Sequence, residues 1–214
     1  VRTAASSDGV AVNYEVHGSG QTTLLLVHGW ANDRTYWEPH IETLSQEFRL
    51  ITVDLPGFAI PAGNRQGWSM AQFGEGVAAV ARATGNGPLV LVGFSMGSAV
   101  VLEAARHLGA NLRGVVIVDA FHDPTFKFPP TLAGQLLPDF RTKWGDTAYM
   151  RALVFSPQTP DTLLVRYIQK IEQPFPERVW PALMAVWEWN NTQLASVVGQ
   201  LRVPLYAINA QQPP

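Results

Sequence analysis

A set of short apolar runs without alternation constrains this fold more than any other feature: Thr23 to Val27, Leu50 to Val53, Leu89 to Val92, Val115 to Val118, and Leu205 to Ile208. A strand wetted on one face alternates apolar and polar residues. Continuous Val, Leu and Ile instead indicate strands buried on both faces, as in a parallel sheet. Helix-like segments separate several of the runs: Trp37 to Phe48, Met70 to Ala83 and Ser98 to Leu108. Parallel neighbours need crossovers and helices supply them, so the alternation predicts a doubly wound α/β sheet. Ahead of these runs, Ser7-Asp8-Gly9 is a turn signal and Val10 to Val16 alternates with a period near two. That combination predicts an N-terminal hairpin.

The strand–helix rhythm stops between Val118 and Val203, where aromatics such as Phe140, Trp144, Phe175, Trp180 and Trp187 gather among prolines. A structureless loop of that length is improbable inside a compact domain, so short Pro-punctuated helices are expected. They would cap the carboxyl ends of the strands, where open α/β sheets bind ligands; ordinary helical packing on the sheet is the plainer alternative. The 214 residues thus divide into a core at 1–122, a helical cap inserted at 123–200, and a return to the sheet at 201–214.

Composition removes several function classes. A formal net charge of -2 and a pI near 6.2 lack the footprint of a nucleic-acid or anionic-lipid binder. No apolar run approaches the roughly 20 residues that span a bilayer. With Cys at 0, thiolate chemistry and Cys-ligated metals are excluded; the compartment stays open, with a cytoplasmic chain slightly favoured over a processed secreted one. The sequence begins at Val1, consistent with a removed leader or tag. No H-E-x-x-H, metal-spaced His/Asp cluster, P-loop or dinucleotide fingerprint occurs, so no metal and no cofactor are expected. The expected partner is a small molecule, and the oligomeric state is left open.

The sharpest chemical signal is Gly93-Phe94-Ser95-Met96-Gly97, entered directly from the strand Leu89 to Val92 and left through a helix. A serine on so sharp a turn is held in strained backbone geometry, and glycines on both sides relieve the crowding. The strain projects Oγ above the sheet, beside the positive end of the following helix. A plain serine helix cap needs neither both glycines nor a buried strand before it. Strand Leu24 to Val27 ends in His28-Gly29-Trp30 at the same edge. Gly29 permits close backbone approach, so the Trp30 amide, with that of Met96, can form a two-donor oxyanion hole. His28 is expected to brace that loop rather than to move protons.

These residues, with Asp54-Leu55-Pro56-Gly57-Phe58 after the next strand, make the chain similar to the α/β-hydrolases over essentially its whole length. The resemblance implies a serine nucleophile, Ser95, in a Ser–acid–His triad, and a shaping role for Asp54. A serine rather than an aspartate at the nucleophile position disfavours dehalogenase or epoxide hydrolase chemistry. Two departures matter. After Ile208, where the family often carries its acid, the sequence reads Asn209-Ala210-Gln211-Gln212. Some members place the acid one strand earlier, which offers Asp119 at the strand end, with Asp123 as second choice. A loop-bracing role for Asp119 is the alternative. The family's histidine follows one further strand, so a longer chain carrying roughly 30–60 more residues is expected. Of the histidines present, His17 and His40 belong to early surface elements and His107 ends a helix. His122 alone lies near the catalytic edge, where it would need a rearranged triad.

The expected activity is hydrolysis of small to medium carboxylic esters with an apolar portion, through an acyl-enzyme. A weakly active or inactive relative that binds an apolar ligand is one alternative. A perhydrolase or cofactor-free oxygenase on the same scaffold is another.

Overall fold

A computed structural model describes residues 1–58, 67–85, 87–171 and 175–210. The strands are β1 (Arg2–Ala5), β2 (Ala11–His17), β3 (Thr23–Val27), β4 (Arg49–Asp54), β5 (Leu89–Phe94), β6 (Leu112–Val118) and β7 (Leu205–Ile208). They form one sheet in the order β1-β2-β4-β3-β5-β6-β7. The hairpin β1–β2 and the β2–β4 contact are antiparallel; every later pairing is parallel. The apolar runs occupy the centre, with Leu25 paired to Ile51 and Leu91, and Leu91 to Val115. All four are fully buried, as unalternating strands require.

Helix α1 (Glu38–Leu44) follows a 3-10 turn at Arg34–Trp37 and stops well short of Phe48, because residues 45–48 close through turn hydrogen bonds instead. Helix α2 (Met70–Ala83) is capped by Ser69, whose Oγ accepts from the Gln72 amide at 3.1 Å. Helix α3 (Met96–Ala105) is buried along its whole length and packs between the sheet, α2 and the later helices. It starts two residues earlier than its apolar run predicts, directly after Ser95. Gly74 lets α2 approach closely: a Cβ there would lie 2.6 Å from that of Glu103.

Between β6 and β7 the described residues form the α-helices α4 (Leu132–Lys143), α5 (Thr147–Val154), α6 (Asp161–Lys170), α7 (Trp180–Thr192) and α8 (Leu194–Gln200). Pro160 immediately precedes α6 and Pro181 sits in the first turn of α7, positions where a missing N–H costs nothing. Two apolar clusters divide this insertion. Ala182, Val186, Trp189, Leu194 and Val197 of α7 and α8 belong to the core of the sheet. Met150, Leu164 and Ile171 form a separate, smaller cluster. The chain leaves the sheet after Val118, and the second apolar core gathers α5, α6 and their flanks. No helix among the described residues is long and apolar enough to cross a membrane.

Candidate active site

Strand register brings the chemistry to one edge. Val27 pairs with Val53 and Gly93, and Phe94 with Val118, while Val118 also pairs with Ile208. The next residues of each strand, His28, Asp54, Ser95, Asp119 and Asn209, therefore emerge together at the carboxyl ends.

Ser95 has φ 51° and ψ -120°, a conformation that costs a non-glycine residue about 1–3 kcal/mol. The surrounding structure enforces it. The Ser95 amide donates to the Val118 carbonyl at 2.9 Å, and the Ser98 amide donates to the Ser95 carbonyl at 2.9 Å. Ser98 Oγ donates to the Gly93 carbonyl at 2.7 Å, closing the turn from below. A Cβ on Gly93 would stand 2.3 Å from the Gly97 carbonyl oxygen, and one on Gly97 would stand 2.5 Å from that of His28. Both neighbours are backbone, so only glycine fits. Ser95 occupies the N-cap position of α3, yet its side chain makes no capping bond. The hydroxyl is left for other work.

The loop after β3 runs against this turn. A Cβ on Gly29 would lie 3.2 Å from that of Ser95 and 2.9 Å from the Phe94 ring. Met96 opens α3, so its N–H belongs to the first-turn donors that have no intrahelical partner. The Trp30 ring meets Phe140, Trp144, Phe175 and Trp180 at centroid distances of 5.6 to 6.3 Å. Its indole N–H donates to the Val179 carbonyl at 2.7 Å. Trp30 thus ties its loop to the helical insertion through its side chain while its amide stays at the serine's edge.

His28 is fully buried, and both its nitrogens are engaged. Nε2 accepts the Leu55 amide at 3.0 Å, which assigns the ring proton to Nδ1, donating to the Gly29 carbonyl at 2.7 Å. Burial lowers its pKa below the usual imidazole value, so the ring is neutral. Asp54 Oδ1 accepts the Arg34 amide at 2.9 Å, and Oδ2 pairs with the Arg34 guanidinium, which also reaches Glu15 at 3.1 Å. That network pins the loop from Ala31 to Trp37 over the sheet edge.

The two candidate acids differ. Asp119 follows β6 with φ 49°, anchored by its amide on the Ile208 carbonyl at 2.9 Å, and its Oδ1 meets His122 Nε2 at 2.9 Å. Asp123 is spent locally. Its Oδ1 accepts the Thr125 amide at 2.8 Å and the Thr125 hydroxyl at 2.6 Å, bonds that hold its pKa below the usual carboxylate range. Asn209 accepts the Ala120 amide through Oδ1 at 3.1 Å and so braces the same loop. Of the other histidines, His17 lies 3.7 Å from Glu15 on β2, and His40 rests near Trp37 in the wall of the cavity described next.

A cavity of about 580 Å³ opens beside this edge, between the loop after β3 and helix α6. Tyr36 links the two, lining the cavity while stacking on Phe94, the residue before Ser95, at 4.3 Å and 15°. Burial pushes the Tyr36 hydroxyl well above the usual phenol value, so it is a neutral donor.

The sequence profile of the alpha/beta hydrolase fold matches residues 22–212. The chain belongs to the α/β hydrolase fold family. Among curated relatives, the pimeloyl-[acyl-carrier protein] methyl ester esterase of Pectobacterium atrosepticum is 28% identical over 177 residues, covering 78% of this chain and 66% of that protein. The dihydrolipoyllysine-residue acetyltransferase component of the acetoin cleaving system of Cupriavidus necator is 30% identical over 114 residues, 53% of this chain and 30% of its own length. The hydrolase-fold chain thus spans between about a third and two thirds of these relatives. Among solved structures, a thermophilic esterase from Thermogutta terrifontis superposes with a TM-score of 0.76 at 24% identity, covering 96% of this chain and 78% of that one. An esterase from a Rhodococcus species gives 0.73 at 25%, with 96% and 78% covered.

Sequence reasoning passed over Tyr36, Arg166 and Tyr167, which meet at the cavity of this hydrolase fold. Arg166 and Tyr167 line it from α6, but Arg166 is exposed and the buried residue of that helix is Leu164, so an amphipathic count marks the Leu164 side instead.

Proposed function

We propose that this chain is a serine hydrolase that cleaves small to medium carboxylic esters through an acyl-enzyme intermediate. The observation that carries the reading is the strained, uncapped Ser95 between two glycines that admit no side chain. Ser95 Oγ attacks the ester carbonyl as its proton passes to a histidine. The amides of Trp30 and Met96 donate to the oxygen as it becomes an alkoxide, with the N-terminal end of α3 behind it. The tetrahedral intermediate collapses, the protonated histidine hands its proton to the departing alcohol, and water repeats the sequence on the acyl-enzyme. Asp119 holds the histidine in the productive tautomer. His28, locked on both nitrogens, supports the oxyanion loop. Helices α4 to α6 serve as the cap. The names of the similar proteins, esterases of methyl and other esters, agree with this chemistry.

His122 is the histidine that the described residues carry beside Asp119. With Nε2 on the carboxylate, only Nδ1 remains for the serine proton. The test is turnover of p-nitrophenyl butyrate together with fluorophosphonate labelling. Ser95→Ala should lose both while keeping the wild-type circular dichroism spectrum; turnover retained by that variant overturns the reading. His122→Gln tests the base: a loss of about a thousandfold or more assigns it to His122, and unchanged turnover rules His122 out. In either case activity should fall below roughly pH 6.5, where imidazole protonates.

A further inference from the structure

The cavity under α6 has a mixed wall, apolar through Phe58, Phe155, Leu163 and Val179 and polar through a set of hydrogen-bond donors. Leu163, Arg166, Tyr167 and Lys170, at spacings of three, four and seven, are the face that α6 turns toward it. Arg178, Tyr36 and His40 complete the polar lining. Among the described residues the carboxylate in the wall is Asp33, and it is already used, its Oδ1 accepting the Thr35 amide at 2.8 Å. Lys170 is paired with Glu38, and Arg178 donates to the Phe58 carbonyl at 3.2 Å. Arg166 has no ion pair or hydrogen bond among the described residues. Burial raises the Tyr167 pKa, so its hydroxyl keeps its proton for an acceptor. An alkyl chain satisfies none of these groups. A carboxylate brings four lone-pair sites and a planar edge that a guanidinium takes two bonds at a time.

We propose that this cavity is a subsite for a carboxylate carried by the substrate, so that half-esters of dicarboxylic acids are preferred, with the ester at Ser95 and the free acid at Arg166. The inference rests on the esterase reading above and deepens it. Tyr36 connects the two ends by contact: it lines the cavity and stacks on Phe94, the residue before Ser95. Its hydroxyl and that of Tyr167 supply neutral donors beside the guanidinium.

The experiment compares monomethyl adipate with methyl hexanoate, which share acyl length and leaving group and differ only in the terminal group. Isothermal titration of the Ser95→Ala protein reads binding without turnover. The half-ester should bind about tenfold more tightly, a preference of roughly 1.4 kcal/mol. Arg166→Gln should abolish that ratio, Arg166→Lys should keep part of it, and Arg166→Glu should invert it. Equal affinities in the Ser95→Ala protein, or a ratio that survives Arg166→Gln, overturn the subsite. Wild-type hydrolysis of both esters separates the two readings. Turnover without preference removes the subsite and leaves the esterase. Preferential binding without turnover removes the esterase and leaves the subsite.

Discussion

At the scale of single residues, this fold puts strain and neutrality where charge would do harm. Ser95 is held at positive φ by bonds to Val118 and Ser98, and His28 is kept uncharged by burial. The second has a measurable consequence. The folded His28 pKa lies below that of the unfolded chain, so below about pH 6.5 the unfolded state binds the proton first. Stability contributed by neutral His28 is therefore complete above that pH and is lost as pH falls, at up to about 1.4 kcal/mol per pH unit. Urea unfolding at pH 7.5 and 5.5 should show this slope in the wild type and a smaller one in His28→Gln, whose amide oxygen can still accept the Leu55 N–H. The acids make a second pair. Asp119→Asn should lower kcat by at least about a hundredfold, whereas Asp123→Asn should change it by less than about threefold, because Asp123 is occupied by Thr125. Comparable losses in both would return the acid's role to open choice.

At the scale of elements, α3 is the piece on which everything else registers. It carries the elbow at its first turn and touches the sheet, α2, α7 and α8. An apolar helix so enclosed still holds one buried carboxylate, Glu103. Oε1 accepts the Trp189 indole N–H at 2.6 Å, and Oε2 pairs with Arg106 at 2.9 Å. The Trp189 bond is what fixes the rotation of α7 on α3. Trp189→Phe keeps most of the ring and removes the donor, leaving a buried oxygen unpaired, so it should destabilise by about 1–3 kcal/mol in chemical denaturation. A loss within a few tenths of a kcal/mol would mean that water replaces the indole. Sequence periodicity located α2 and most of α3 well, because their apolar faces are continuous. It placed α7 and α8 with the cap for want of any signal of partnership: Ala182, Val186 and Leu194 look the same whether they cover a sheet or a lid.

At the scale of the whole molecule, two apolar clusters of unequal size are joined by few attachments. Met150, Leu164 and Ile171 are the buried members of the smaller one, and Leu153, Val154, Leu163 and Val165 nearby remain exposed. The link to the sheet runs through the Trp30 aromatic group and the Lys170–Glu38 ion pair. Opening α5 and α6 therefore exposes far less apolar surface than opening β5 and α3. Hydrogen exchange followed by mass spectrometry should show the amides of α5 and α6 exchanging well before those of β5 and α3. Equal protection would mean that the molecule opens as one unit. Saturation with monomethyl adipate should slow exchange in α6 most, since that helix forms one wall of the cavity.

The sequence by itself determined what depends on near neighbours along the chain. Unbroken apolar runs specified a parallel sheet, and the paired glycines around Ser95 specified a turn that no bulkier residue could make. The tertiary structure alone decided what depends on segments far apart meeting. The sequence ranks Asp119 ahead of Asp123 only by its place at the strand end; that β7 anchors Asp119 through the Ile208 carbonyl is decided by the fold. Likewise Tyr36 and Arg166 share a cavity only because α6 folds back over the loop after β3. Local backbone preferences act over a few residues and leave a pattern that can be read. Contacts across a hundred residues are set by packing and loop closure, and they leave no period in the sequence.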